Sequence, residues 1–192
     1  MSNEIKLKSI ATFQPGIYIR ENNYADEPAA YLLSLRDFDD QLRYRGTAAR
    51  IDPEKVRDKY ILTETDLLFS TRQKFNAFLL PDTDRRSYIA SNSFAIIRAR
   101  PDLILNEYLH WYLNHPDTQK RLQYIAQGQS KVNYISMEDL GELPILIPPV
   151  RRQAQIVHLY KLRQKEQKIS DQLNHQKELY LQSILLKSAK HE

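Results

Sequence analysis

Every proline and every glycine of the 192-residue chain lies within its first 149 positions. The 43 residues after Pro149 contain neither, and they are rich in Gln, Lys, Leu and Glu. Inside a helix proline costs about 3 kcal/mol and glycine about 1 kcal/mol relative to alanine. A tract free of both, built from good helix formers, predicts one long helix over residues 150–188, with 189–192 as a tail. At about 1.5 Å per residue, a helix over 152–188 is roughly 55 Å long. Alternate steps of four and three from Leu162 give Leu162, Glu166, Ile169, Leu173, Gln176, Tyr180 and Ser183, a heptad-like seam with polar interruptions. An amphipathic rod of this length must cover its stripe. The seam therefore predicts an intermolecular coiled coil with a second copy, with Leu162, Ile169, Leu173 and Tyr180 in the dimer interface. The rival is a helix packed on its own domain, which could cover only part of such a rod.

Residues 1–149 read differently. Short β-rich runs at Ile17–Arg20, Tyr31–Leu35, Asp66–Ser70, Ala77–Leu80 and Phe94–Arg98 are bounded by Pro, Asn, Asp or Ser. Asn106–Asn114 and Asp117–Ala126 have helical patterns, with Pro116 at a helix start. Ser136 and Asp139 resemble a capping box, predicting a short helix that ends at Gly141. Leu143–Ile147 is then a last buried strand, stopped by Pro148 and Pro149. The prediction is an α+β domain over 1–149 followed by the long helix.

Charge narrows the functional classes. The net charge is +4, with 42% hydrophobic and 27% charged residues. Residues 1–150 carry a net −1 and residues 151–192 a net +5. Bulk electrostatics thus gives the first part no attraction for nucleic acid, and binding there must come from local clusters. The helix charge fits either DNA or an acidic protein surface. The absence of cysteine rules out disulfides, thiolate metal sites and cysteine nucleophiles, and fits a reducing cytoplasm. No apolar run of membrane-spanning length and no secretory leader pattern occur, so a cytoplasmic protein with no membrane partner is expected.

The motifs of nucleotide-binding loops, serine hydrolases and zinc proteases are missing. His110 and His115 have no carboxylate at metal-ligand spacing and read as surface histidines. Asp37, Asp39 and Asp40, like Asp82 and Asp84, fall in turn-like stretches and read as solvated loop acids. Glu4–Lys6 and Glu166–Lys168 have nuclease-like spacing, but neither has an upstream Asp in a plausible strand. No catalytic residue, metal or cofactor is expected.

Four polar segments mix basic, amide and aromatic side chains. They are Gln41–Gly46, Ser70–Asn76, Asp84–Ser87 and Gln127–Tyr134. Arg and Lys can pair with guanine edges or phosphate, and Gln and Asn can bond adenine. The first choices for DNA contact are Arg72, Gln73, Lys74, Lys131, Asn133 and Tyr134, with Arg43 and Arg45 next. A solvated loop is the competing reading for each segment alone.

An ordered set of motifs then resembles a known family. From Gly128 the chain runs through Ser130, Ile135 and Ser136 to Leu140–Pro149 and Gln153. This is similar to the end of a target recognition domain in the specificity (S) subunit of type I restriction-modification systems. Leu7–Gly16, Thr65–Ser70, Ile89–Arg98, Tyr108–Leu113 and Gln119 resemble its earlier segments in the same order. Three positions depart: Thr65 replaces a usual glycine, Gln73-Lys74-Phe75 a glycine-rich stretch, and Arg152 a usual glutamate. An arginine there opposes the helix macrodipole by up to about 1 kcal/mol.

The resemblance implies a half-specificity subunit, with one recognition domain and one helix where the family has two of each. It implies a non-catalytic homodimer on double-stranded DNA, recognising a palindrome interrupted by a spacer. It also implies docking of methyltransferase (M) subunits and, beyond them, a restriction (R) subunit. The alternative is a protein–protein adaptor or recombination cassette related to specificity subunits.

Overall fold

The computed structural model describes residues 4–18, 30–52, 54, 56–72, 74–80, 87–127 and 133–189. Two compact units divide the chain, Met1–Gln153 and Ala154–Glu192. The first is an α+β domain and the second is the body of one long helix, as the distribution of breakers predicts.

Among the described residues the domain is built on a four-stranded antiparallel sheet. Its strands are β2 (Ala11–Pro15), β5 (Asp66–Ser70), β6 (Ala77–Leu79) and β8 (Phe94–Ala99), in the order β2-β8-β5-β6. All five residues of β5 are buried, as befits a central strand covered on both faces. Leu68 pairs with Ile96 and with Phe78, and these side chains join Leu33, Phe38, Tyr88 and Phe94 in one core cluster. A second sheet pairs β3 (Ala30–Leu33) with β4 (Ala49–Ile51) antiparallel and with β7 (Tyr88–Ala90) parallel. A third joins β1 (Glu4–Lys6) to β9 (Pro144–Leu146), closing the two ends of the domain on each other. Lys6 and Lys8 both pair with Glu142 beside that closure.

Two helices follow, the first of which covers β5 and β6. In α1 (Asn106–Asn114) the last side chain grips the edge strand β6. Asn114 Oδ1 accepts from the Ala77 N–H at 3.0 Å and its Nδ2 donates to the Ala77 carbonyl at 2.9 Å. In α2 (Pro116–Gln127) the buried Leu122 and Ala126 face the core. Gln119 Nε2 donates to the carbonyls of Phe75 and Leu113, at 2.8 and 2.7 Å, and so ties the β5–β6 connection to the helix pair.

Several expectations need correction. Of the strand expected at Ile17–Arg20, Ile17 forms an isolated bridge with Ser91; residues 19 and 20 lie outside the described residues. Gly16 lets the chain pass there, since a Cβ at this position would collide with the Ser91 and Ala90 carbonyls. The short helix α3 (Met137–Glu142) starts at Ser136, whose Oγ accepts from the Asp139 N–H at 3.1 Å, but it does not stop at Gly141. That glycine is buried inside the helix, and a Cβ there would sit 3.2 Å from Lys8 Cβ. It serves close packing rather than termination. His110 is not a surface residue but 8% exposed on α1. Asp37 is not solvated either. Its carboxylate is buried and accepts from Ser34 N–H, Ser34 Oγ and Thr47 Oγ1, each at 2.7 Å.

The long helix, α4, spans Val150–Ser188. Its first turn belongs to the domain. Gln153 is fully buried there: Oε1 accepts from Leu105 N–H at 2.9 Å, and Nε2 donates to the carbonyls of Leu103 and Pro148 at 2.9 and 2.8 Å. Further along, Arg163–Glu166, Gln167–Asp171 and Gln182–Glu178 form the usual pairs of an exposed helix surface. No helix among the described residues is long and apolar enough to cross a membrane.

Candidate nucleic-acid interface

Three segments distant in sequence meet at one edge of the domain. The first is a tight turn over residues 39–43. Asp39 builds it: Oδ1 accepts from the N–H groups of Gln41 and Arg43, both at 2.9 Å, and Oδ2 accepts from Arg43 Nε at 3.0 Å. Burial pushes the Asp39 carboxyl up. The Arg43 N–H, the Arg43 guanidinium and the Gln41 N–H outweigh it and hold the group below the usual aspartate value. Within the turn Leu42 adopts a left-handed backbone, φ +62°, which costs a branched residue about 1–2 kcal/mol. Its side chain packs on the core cluster around Phe38 and Phe78, which offsets that strain.

The second segment is the connection from β5 to β6. Ser70 Oγ donates to the Arg72 carbonyl at 2.9 Å, and Ser70 N–H to the Asn76 carbonyl, also at 2.9 Å. Phe75 is buried and anchors the loop from below. Arg72 and Lys74 are left exposed.

The third segment is the approach to α3. Arg72 and Tyr134 form an antiparallel bridge, and the Ile135 N–H donates to the Thr71 carbonyl at 3.0 Å. Ile135 is fully buried and pins this strip to the domain. The Arg72 guanidinium lies over the Tyr134 ring, 5.7 Å from its centroid, an arrangement worth about 0.5–1 kcal/mol at an exposed site. Lys74 Nζ in turn reaches Asp40 Oδ1 at 3.3 Å, linking the second segment to the first.

The residues singled out in the sequence distribute as follows. Arg72, Lys74 and Tyr134 come together, with the exposed Asn133 beside them. Arg43 stands at the same edge with its Nε committed to Asp39. Arg45 is exposed just past the turn, its N–H donating to the Asp37 carbonyl at 2.7 Å. Gln73, Lys131 and the arginines of Asp84–Ser87 lie outside the described residues. Sequence reasoning gave Asp39 and Asp40 no role. The signal was there, in an aspartate followed two and four residues on by Gln41 and Arg43, but only a turn makes it meaningful.

A cleft of about 240 Å³ runs between the first two segments, lined among others by Asp39, Asp40, Arg72, Lys74, Phe38 and Phe78. Among the described residues no group of three or more His, Asp or Glu side chains is placed to hold a metal ion. On α4 the seam side chains are open: Leu162 is 47% exposed, Ile169 65%, Leu173 52% and Tyr180 70%.

The family model for the type I restriction modification DNA specificity domain matches residues 2–177. The chain belongs to that family. Three solved structures have the same fold as this specificity domain. One is a chain from work on complex assembly and conformational transition of the type I R-M system, 19% identical with a TM-score of 0.65. The second is the HsdS subunit from Thermoanaerobacter tengcongensis, 19% identical with a TM-score of 0.61. The third is the type I restriction-modification S subunit from M. genitalium, 13% identical with a TM-score of 0.57. Each match covers 85% of this chain but only 38%, 37% and 39% of the other. The specificity domain thus spans well under half the length of the solved chains it matches. No curated protein matches it.

Proposed function

We propose that this specificity domain recognises one half of a DNA target for a type I restriction-modification system, and that it does so without catalysing a reaction. One observation carries the reading: Arg72 stacked on Tyr134. It joins two loops that the sequence offers independently as candidates for DNA contact. Arg72, Gln73, Lys74, Lys131, Asn133 and Tyr134 meet the bases or phosphates, with Arg43 and Arg45 at the margin. Direct readout needs donors held on a rigid scaffold, and the buried Phe75 and Ile135 supply that rigidity beneath exposed cations.

Two copies pair through Leu162, Ile169, Leu173 and Tyr180 of α4, and the target is a palindrome interrupted by a spacer. The methyltransferase subunit docks on the helix and supplies the chemistry, and a restriction subunit adds cleavage. The open seam supports the pairing.

The test is DNA binding by Arg72→Ala and Lys131→Ala at several salt concentrations. Loss of a base contact costs about 1–3 kcal/mol and relaxes one position of the target. Loss of a phosphate contact weakens binding to every sequence and shrinks the salt slope by about one. If both variants bind as the parent does, with the same salt dependence, these loops are not the interface.

A further inference from the structure

Asp40 sits oddly in a surface proposed to meet a polyanion. Its neighbour Asp39 is spent on the turn, with three bonds to Gln41 and Arg43. Asp40 takes no part in that clamp. Its side chain is 92% exposed, and its one partner among the described residues is Lys74, at 3.3 Å. An ion pair this open contributes little to stability. A carboxylate facing phosphate would also weaken binding to every sequence alike. Neither folding nor general affinity accounts for it.

Geometry offers a use. The turn that carries Asp40 is fixed by Asp39 and by the buried contacts of Leu42, and the loop that carries Lys74 is fixed by Phe75 and Gln119. A cationic donor and an anionic acceptor are therefore held side by side at the rim of the cleft. In the major groove a G·C pair presents guanine N7 and O6 as two acceptors, with the cytosine N4 donor next to them. An A·T pair alternates acceptor, donor, acceptor, so an ammonium finds no two adjacent acceptors.

We propose that Lys74 and Asp40 act as a couple that reads one G·C base pair, Lys74 on the guanine and Asp40 on the cytosine. This rests on the DNA-recognition reading above. In the free protein the two groups pair loosely, and it is the turn and the loop that keep them adjacent. On DNA the two separate onto the two bases of one pair, and the carboxylate repels any edge that offers no donor.

Selection of bound sequences from a random duplex pool, by the full chain at fixed salt, tests the proposal. The parent should enrich a site containing a G·C pair that Asp40→Ala and Lys74→Ala both relax. Preference at that pair should fall roughly 5- to 100-fold in each variant while the other positions keep theirs. Asp40→Ala should also bind scrambled duplex more tightly than the parent. If Asp40→Ala keeps the parent's preference at every position, the proposal fails and DNA recognition stands. The two variants relaxing different pairs would overturn it equally. So would a uniform loss across the site, which would make Asp40 a mere support of the turn. A parent chain that enriches no sequence overturns the DNA-recognition reading and this proposal with it.

Discussion

Burial of His110 ties the stability of the domain to pH. The residue sits on the covered face of α1 with Leu109 and Leu113, and burial pushes its imidazole down to about 4, against a small upward pull from Glu107. In the unfolded chain its value is near 6.5. Between these values the unfolded state holds the proton and the folded state does not. Stability from this group is therefore complete above about pH 6.5 and is lost as pH falls toward 4, at about 1.4 kcal/mol per unit. Urea unfolding at pH 7 and pH 5 should show the parent losing roughly 2 kcal/mol more than His110→Gln over that interval. Parallel pH profiles would show that His110 is not buried neutral. The periodicity of α1 was legible in the sequence. Which of its faces is covered depends on β5, β6 and β9, which are distant in the chain. The same limit applies to the candidate interface: Arg72 and Tyr134 stood out by residue type, whereas Asp39 and Asp40 acquire meaning only from the turn.

At the scale of elements, legibility followed how local the pairing is. Strands β5 and β8 are long and apolar, and α1 and α2 are strongly periodic, so each was readable alone. Strands β1, β4 and β7 have three residues each and exist through partners far along the chain, as in Glu4 opposite Leu146. Nothing in their sequence marks them, whereas β9, equally short and paired with β1, was legible because Pro148 and Pro149 stop an apolar run. The junction into α4 is a middle case. Gln153 was visible as the glutamine following two prolines, but its task was not. It bonds one N–H and two carbonyls at a partly buried junction, and losing it leaves those groups short of partners. Each such orphan costs about 1–3 kcal/mol, with some relief from relaxation and water. Gln153→Leu should therefore destabilise the domain by roughly 2–4 kcal/mol by chemical denaturation. Gln153→Glu should behave almost as badly, because it keeps the acceptor but loses the donor to Leu103 and Pro148. A loss below about 0.5 kcal/mol, the scale of an ordinary surface change, would contradict this account.

For the whole molecule the decisive question is what covers α4. Its own pairs, such as Arg163–Glu166 and Gln167–Asp171, contribute about 0.2–0.5 kcal/mol each, too little to hold so long a helix straight in water. On the pairing proposed above, the remaining stabilisation comes from burying Leu162, Ile169, Leu173 and Tyr180, each about half exposed or more in the single chain. Full burial of a leucine or isoleucine contributes about 1.5–3 kcal/mol, so changing two seam residues in each copy would remove a large part of what the proposed pairing gains. Polar Glu166 and Gln176 interrupt the stripe, and in the proposed pairing they would weaken the contact while fixing its register, as polar core positions do in coiled coils. Introducing aspartates in the middle of this seam places charge where no counter-charge waits, and that is more costly than lost apolar area alone. Ile169→Asp combined with Leu173→Asp should thus convert a dimer to a monomer by light scattering at micromolar concentration. The circular dichroism of the β-rich domain should persist, because the substitutions lie outside it. Binding to a palindromic target should fall far more steeply than binding to a single half-site, since the second contact is no longer tethered to the first. A parent chain that is already monomeric, or a double variant that remains a dimer, would mean that the seam is covered by something other than a second copy of itself.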